Sequence, residues 1–156
     1  RARFGRTVGV LRPGCFTGAR ALATESQNWL TWLVHCARAG TPFRIFGYEG
    51  KQIRDLLHVS DLAHACLKWL ERPASGVWNI GGGPERAVSL NVAIERAAGL
   101  TGKHISTENA PKRPGDIFRL VIDSGGFRRD FGWSAKVDLH GIFEEDRFRR
   151  QFGNRK

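Results

Sequence analysis

The alternation of short β-rich runs with helix-period stripes along this chain predicts an α/β fold. Apolar, β-type stretches occupy residues 7–11, 43–46, 53–59 and 77–80, and three amphipathic segments lie between or after them. Glycine or proline stands at most of the junctions, as turn chemistry requires.

The first run, TVGVL, stops at Arg12-Pro13-Gly14 and reads as a buried strand feeding a loop. That loop, residues 13–26, is rich in small side chains. Trp29, Trp32, Leu33 and Cys36 then share a face of a helix of about three turns, and Gly40 and Pro42 end it. The strand at 43–46, a turn at 47–50 and a strand at 53–59 are compatible with a small hairpin-like unit. Ser60 is placed to cap a helix from Asp61, striped by Leu62, Cys66, Trp69 and Leu70 and closed by Arg72-Pro73.

After the strand at 77–80, Gly81-Gly82-Gly83 has neither the Gly-Lys-Ser/Thr of a P-loop nor the spacing of GxGxxG. It is expected to be a plain turn ahead of Ser89, which caps a helix over 90–99. A polar stretch leads to Pro111-Lys112-Arg113-Pro114-Gly115-Asp116, an apolar run at 120–122, and a short helix near 127–131 stopped by Gly132-Trp133.

The composition, 41% hydrophobic over 156 residues, is that of a soluble globular domain with a sizeable core. No apolar run reaches the roughly 18 residues of a membrane span, so no membrane partner is expected and a cytoplasmic location is the default. Cys15, Cys36 and Cys66 are too few and too scattered for a disulfide framework or a metal site, and read as reduced core residues. With no methionine and an opening in mid-pattern, the chain is expected to be a piece of a longer protein.

A formal net charge of +10 admits nucleic acid as a partner, but a protein holding a nucleoside diphosphate carries the same balance. The basic residues are dispersed until Arg147, Arg149, Arg150, Arg155 and Lys156 gather around Phe148 and Phe152. A solvated basic helix and tail over 138–156 is preferred there to a nucleic-acid site.

Four patches could carry binding. Arg54 stands at a strand start, where its planar fork can take two phosphate or carboxylate oxygens; beside Asp55 and His58 it could equally be a strand-end ion pair. Arg113 and Asp116 flank the tight Pro114-Gly115 turn, which aims them in defined directions or is an ordinary surface turn. The third is RPGCFTGAR, residues 12–20. The fourth is ATESQNWLTW, residues 23–32, whose tryptophans could equally serve helix packing alone.

The stretch GKQIRDLLHVSDLA, residues 50–63, resembles the extended short-chain dehydrogenase/reductases, the NAD-dependent nucleotide-sugar epimerases and dehydratases. Asn79-Ile80-Gly81, Arg113-Pro114-Gly115-Asp116 and Thr17-Gly18-Ala19 are similar to motifs of that family, and the likeness runs from Thr7 to about Val137. It implies that this chain is the C-terminal part of an NAD(P)-binding Rossmann-like doubly wound fold, with the last strands and most of a smaller substrate-binding lobe.

By the same resemblance Arg54 and Arg113 clamp the diphosphate of a nucleotide-sugar substrate from opposite sides. Asp116 contacts the nucleoside ribose, and Cys15, Gln27 and Trp29 touch substrate. Pro13 and Gly14 fall at cofactor-binding positions for NAD. Cys15 stands where the family carries asparagine or serine, and a thiol is a weaker donor. Gln27 and Trp29 match the branch that epimerises carbon 2 of CDP-linked dideoxy sugars; the UDP-hexose 4-epimerase branch is the alternative.

The family's glycine-rich NAD turn and Tyr-x-x-x-Lys pair do not appear. The only tyrosine is Tyr48, with Gln52 where the lysine would stand. The implied partners are therefore a nucleotide sugar, a missing N-terminal half and further copies in a homo-oligomer, with the chain inactive alone. An uncovered parallel sheet edge would favour self-association.

Overall fold

A computed structural model describes residues 5–18 and 20–147. In chain order the elements are β1 (Gly9–Pro13), β2 (Cys15–Thr17), α1 (Trp29–Ala39), β3 (Phe43–Phe46), a 3-10 turn (Tyr48–Gly50), β4 (Ile53–His58), α2 (Val59–Glu71) and β5 (Gly76–Ile80). There follow a second 3-10 turn (Pro84–Arg86), β6 (Ala87–Ser89), α3 (Leu90–Thr101), β7 (Thr107–Ala110), β8 (Arg119–Leu120), α4 (Gly125–Phe131) and α5 (Leu139–Arg147). Phe148 to Lys156 of the basic stripe, Ala19 and residues 1–4 lie outside the described residues.

Strand pairing is mostly parallel. β1 pairs β5 with Val10 opposite Val77, β2 pairs β4 with Cys15 opposite Leu56, and β3 pairs β7 with Ile45 opposite Asn109. β4 also takes β8 in parallel and β6 antiparallel, so three strands converge on it.

Consecutive strand residues face opposite sides, and β4 uses this to join two cores. Leu56 packs with Leu30, Leu33, Val34, Phe43, Ala93 and Phe143 from α1, β3, α3 and α5. Leu57 packs on the other side with Ala65, Ile80, Phe127, Phe131 and Trp133 from α2, β5, α4 and the segment after it. One strand thus serves both cores.

Local expectations met varied outcomes. The α1 helix ends at Gly40 (φ 69°), whose N–H bonds Cys36 C=O, and Ser89 Oγ caps α3 by accepting from Val92 N–H at 3.3 Å. The first strand lies at 9–13 rather than 7–11, and β2 forms inside the expected loop.

No hairpin joins β3 to β4. Gly47, Tyr48, Glu49 and Gly50 all have positive φ, which carries the chain away, and β3 pairs instead with β7, some 60 residues on. His58, not Ser60, is the N-cap of α2: its Nδ1 accepts from Ser60 N–H at 3.2 Å. In α2 the inner face is Asp61, Leu62, Ala65 and Trp69, while Cys66 and Leu70 are exposed. Of the three cysteines only Cys36 is buried, which corrects the reading of all three as core.

Candidate functional site

A cleft of about 490 Å³ opens between the start of β4, the N-terminal end of α1, β3 and the turn at 113–116. Gln52 and Arg54 are two residues apart, so their side chains leave the chain on one side, and both line it. Cys15 comes from β2, Trp29 and Trp32 from the first turn of α1, and Phe46 and Arg44 from β3. The mouth is closed by Arg113, Pro114, Gly115 and Asp116, the tight turn having Gly115 at φ 74°.

Of the residues expected at a substrate site, Arg54, Arg113, Asp116, Cys15 and Trp29 thus share one cavity across about 100 residues of sequence. Gln27 does not line it. Gln27 is exposed, and its backbone closes a tight bridge with Thr24 through two hydrogen bonds of 3.1 Å. This bridge and the Asn28 side chain, which donates to Leu22 C=O at 2.6 Å, set the entry into α1 that aims Trp29 inward.

Arg54 is the most tightly held cation of the cleft. Its Nη2 donates to Asp116 Oδ1 at 2.5 Å and Ile117 C=O at 2.8 Å, and Nη1 donates to Ile53 C=O at 2.7 Å and Phe118 C=O at 3.5 Å. All four terminal N–H groups therefore have acceptors in the protein. An anion entering here competes with Asp116 for the fork. Asp116 in turn accepts from Ile117 N–H, and Tyr48 Oη donates to Asp116 C=O at 2.9 Å, so the turn is tied down from two sides.

Arg113 lies over Phe46, its guanidinium carbon 3.6 Å from the ring centroid, and donates to Glu25 C=O at 3.0 Å. Glu25 is ion-paired with Arg44, whose hydrogen bond holds its carboxyl below the usual range. The lining counts three guanidinium groups, Arg44, Arg54 and Arg113, against the carboxylates of Glu25 and Asp116, a net single positive charge. Burial pushes the Cys15 thiol up, against a hydrogen bond from Trp29 and the charge of Arg54, so Cys15 is a neutral thiol at pH 7.

Two polar atoms of this wall are buried and poorly satisfied: Gln52 Oε1 has no protein hydrogen bond, and Trp29 Nε1 has only the Cys15 thiol beside it. Gln52 is not among the site residues that the sequence suggests. The signal for it was strand alternation with Arg54, and the sequence offered no way to see that its amide would be left unpaired.

Pro13 and Gly14 lie away from this cleft. Gly14 N–H bonds Ile80 C=O at 2.8 Å, and a Cβ there would meet Ile122 at 2.7 Å, so the space beside it is filled by protein. The glycine triplet borders a second cleft of about 560 Å³ with Ser124 and Trp133. It does more than turn the chain: Gly81 N–H bonds Ser124 Oγ, Gly83 N–H bonds the buried Asp55 Oδ2 at 2.9 Å, and a Cβ on Gly82 would strike Leu56 O. Among the described residues no group of three or more His, Cys, Asp or Glu could hold a metal, and no helix is long and apolar enough to cross a membrane.

Parallel strands with helices on both sides of β4, and a cleft beyond the end of α1 lined with arginine, define an α/β protein of the Rossmann-like class. The model of the NAD dependent epimerase/dehydratase family matches residues 1–81, and the chain belongs to that family. It is 30% identical over 144 residues to the CDP-paratose 2-epimerase of Salmonella typhi, an alignment covering 86% of this chain and 42% of that one. MoeE5 in complex with UDP-glucuronic acid and NAD superposes with a TM-score of 0.82 at 28% identity, over 93% of this chain and 47% of the other. The UDP-glucose 4-epimerase of Thermus thermophilus in complex with NAD gives 0.83 at 22% identity, over 94% and 47%, a likeness of fold.

The chain spans less than half the length of the curated relatives it matches. The matched residues 1–81 hold β1 to β5, and on that finding the chain aligns to the Rossmann-like, NAD-binding half of epimerases. The expectation of a C-terminal part carrying the smaller substrate-binding lobe is corrected accordingly.

Proposed function

We propose that the cleft binds the diphosphate of a nucleotide sugar, the chain being part of an NAD-dependent nucleotide-sugar epimerase. The observation that carries this reading is the convergence of Arg54 and Arg113 on one cavity with Asp116, Cys15 and Trp29. Two guanidinium groups at the mouth of a partly desolvated cleft suit two phosphates, because charge-assisted bonds strengthen as water is excluded. Asp116 yields its place on Arg54 to the incoming phosphate and is then available to a ribose hydroxyl. Binding energy gathered at the diphosphate orients the sugar without touching the reacting carbon.

The favoured substrate is a CDP-linked dideoxy sugar with epimerisation at carbon 2, supported by the likeness to the Salmonella typhi enzyme over 86% of the chain. A UDP-sugar 4-epimerase is the second reading, since a probable UDP-arabinose 4-epimerase of Arabidopsis thaliana is 34% identical over 134 residues. A binding module without catalysis is the third, for want of the Tyr-x-x-x-Lys pair. Calorimetric titration with CDP, UDP and a CDP-sugar, repeated on Arg54→Ala and Arg113→Ala, tests all three. CDP binding lost in both variants supports the first; preference for UDP moves the reading to the second; no nucleotide binding by folded protein refutes the site.

A further inference from the structure

We propose that Gln52 and Trp29 form a donor–acceptor pair in the wall of the cleft that recognises a hydroxyl of the bound ligand, an inference that rests on the nucleotide-sugar reading above. Gln52 is only 9% exposed, and its Oε1 has no hydrogen-bond partner; the indole Nε1 of Trp29 is likewise buried, with only the Cys15 thiol beside it as a weak acceptor. Leaving a buried polar group unpaired or weakly paired is costly, so two in one cavity wall mark a place where a ligand is expected to complete the bonding.

The chemistry of the pair narrows the ligand group. Trp29 offers a donor and nothing else, while the oxygen of Gln52 offers an acceptor. A hydroxyl accepts from the first and donates to the second with one atom. A phosphate oxygen, which only accepts, satisfies Trp29 alone and leaves Gln52 unpaired. Arg54 lies two residues beyond Gln52 on the same side of the chain, so a ligand whose phosphate reaches Arg54 carries its neighbouring hydroxyls past Gln52. Gln52 is unbranched with a soft terminal torsion, which lets its amide turn toward the cleft without moving the backbone. That backbone is fixed, since Gln52 C=O accepts from Leu90 N–H at 3.1 Å.

The test is calorimetry with UDP and with UDP-glucose on the wild-type chain, Gln52→Met and Trp29→Phe, alongside thermal unfolding without ligand. Methionine keeps the length and removes the acceptor, and phenylalanine keeps a ring and removes the donor. Each variant is expected to weaken UDP-glucose binding about five- to tenfold, with unliganded stability held or raised because an orphaned polar group has gone. Weakening for UDP-glucose alone assigns the pair to the sugar, and equal weakening for UDP assigns it to a nucleoside hydroxyl. Tight wild-type binding unchanged by either substitution overturns the pair while leaving the Arg54–Arg113 site standing. Wild-type protein that binds neither ligand overturns both.

Discussion

The guanidinium of Arg54 closes on the carboxylate of Asp116 at 2.5 Å, with side chains only 15% and 25% exposed. The cation that family likeness assigns to a phosphate is thus engaged by an internal anion. Asp116→Asn should free part of the fork, tightening pyrophosphate binding about three- to tenfold while costing about 1–2 kcal/mol of stability. Titration and urea unfolding on the same protein check both halves. Weaker pyrophosphate binding would show that Asp116 orients Arg54 rather than competing for it.

Arg113 is held by its stack over Phe46 as well as by its hydrogen bond to Glu25 C=O. Replacing it with alanine is expected to lower nucleoside diphosphate affinity about tenfold, and lysine should fail to restore it, since a point charge neither stacks nor forks. Recovery of wild-type affinity in Arg113→Lys would sink this account.

Asp55 is 1% exposed, and burial raises its pKa, with the N–H groups of Gly83 and Ile122 pulling against that rise. The folded state then holds this proton more firmly than the unfolded chain, whose carboxyl titrates near roughly 3.9. Its contribution to stability is greatest below that value and falls as pH climbs through the raised folded pKa. Unfolding free energies measured from pH 4 to 7 should decline less in Asp55→Asn than in the wild type. Parallel pH profiles would place the titrating group elsewhere.

Gly82 and Gly83 should respond differently to alanine. A Cβ at Gly82 would sit 1.9 Å from Leu56 O, a clash with backbone that cannot give way, whereas Gly83 faces open space at φ 76°. The expected losses are about 3 kcal/mol for Gly82→Ala and about 1 kcal/mol for Gly83→Ala. Denaturant midpoints of the two variants decide it, and equal losses would contradict the close approach.

Val8, Val10 and Val77 are about half exposed, and β1 pairs only with β5 among the described strands. Parallel strands with an uncovered face and a free edge favour association. Light scattering should show self-association of the chain at micromolar concentration, reduced in Val10→Lys. A monodisperse wild-type monomer would remove the argument.

Much of this protein could be read from residues in order. Helices α1 and α3 follow from periodicity with Gly40 and Ser89 at their ends, and β3 and β4 from short apolar runs. These features rest on interactions between near neighbours, which the sequence states directly. The membership of Arg54, Arg113 and Asp116 in a common site was legible only through motif likeness.

Tertiary structure decided the rest. The pairing of β3 with β7 rather than β4, the shared use of β4 by two cores, and the engagement of Arg54 by Asp116 all join residues far apart in the chain. Asp61 is another case: its carboxylate accepts from Lys136 and Val137 N–H at 3.0 Å, bonds that no local pattern announces. The sequence by itself determined most of the helices, the apolar strands and which family the chain resembles, because backbone preference and capping act within a few residues. Which strand lies beside which, and whether a buried polar group such as Gln52 finds a partner, was settled only by packing, since those energies arise between residues that the fold alone brings together.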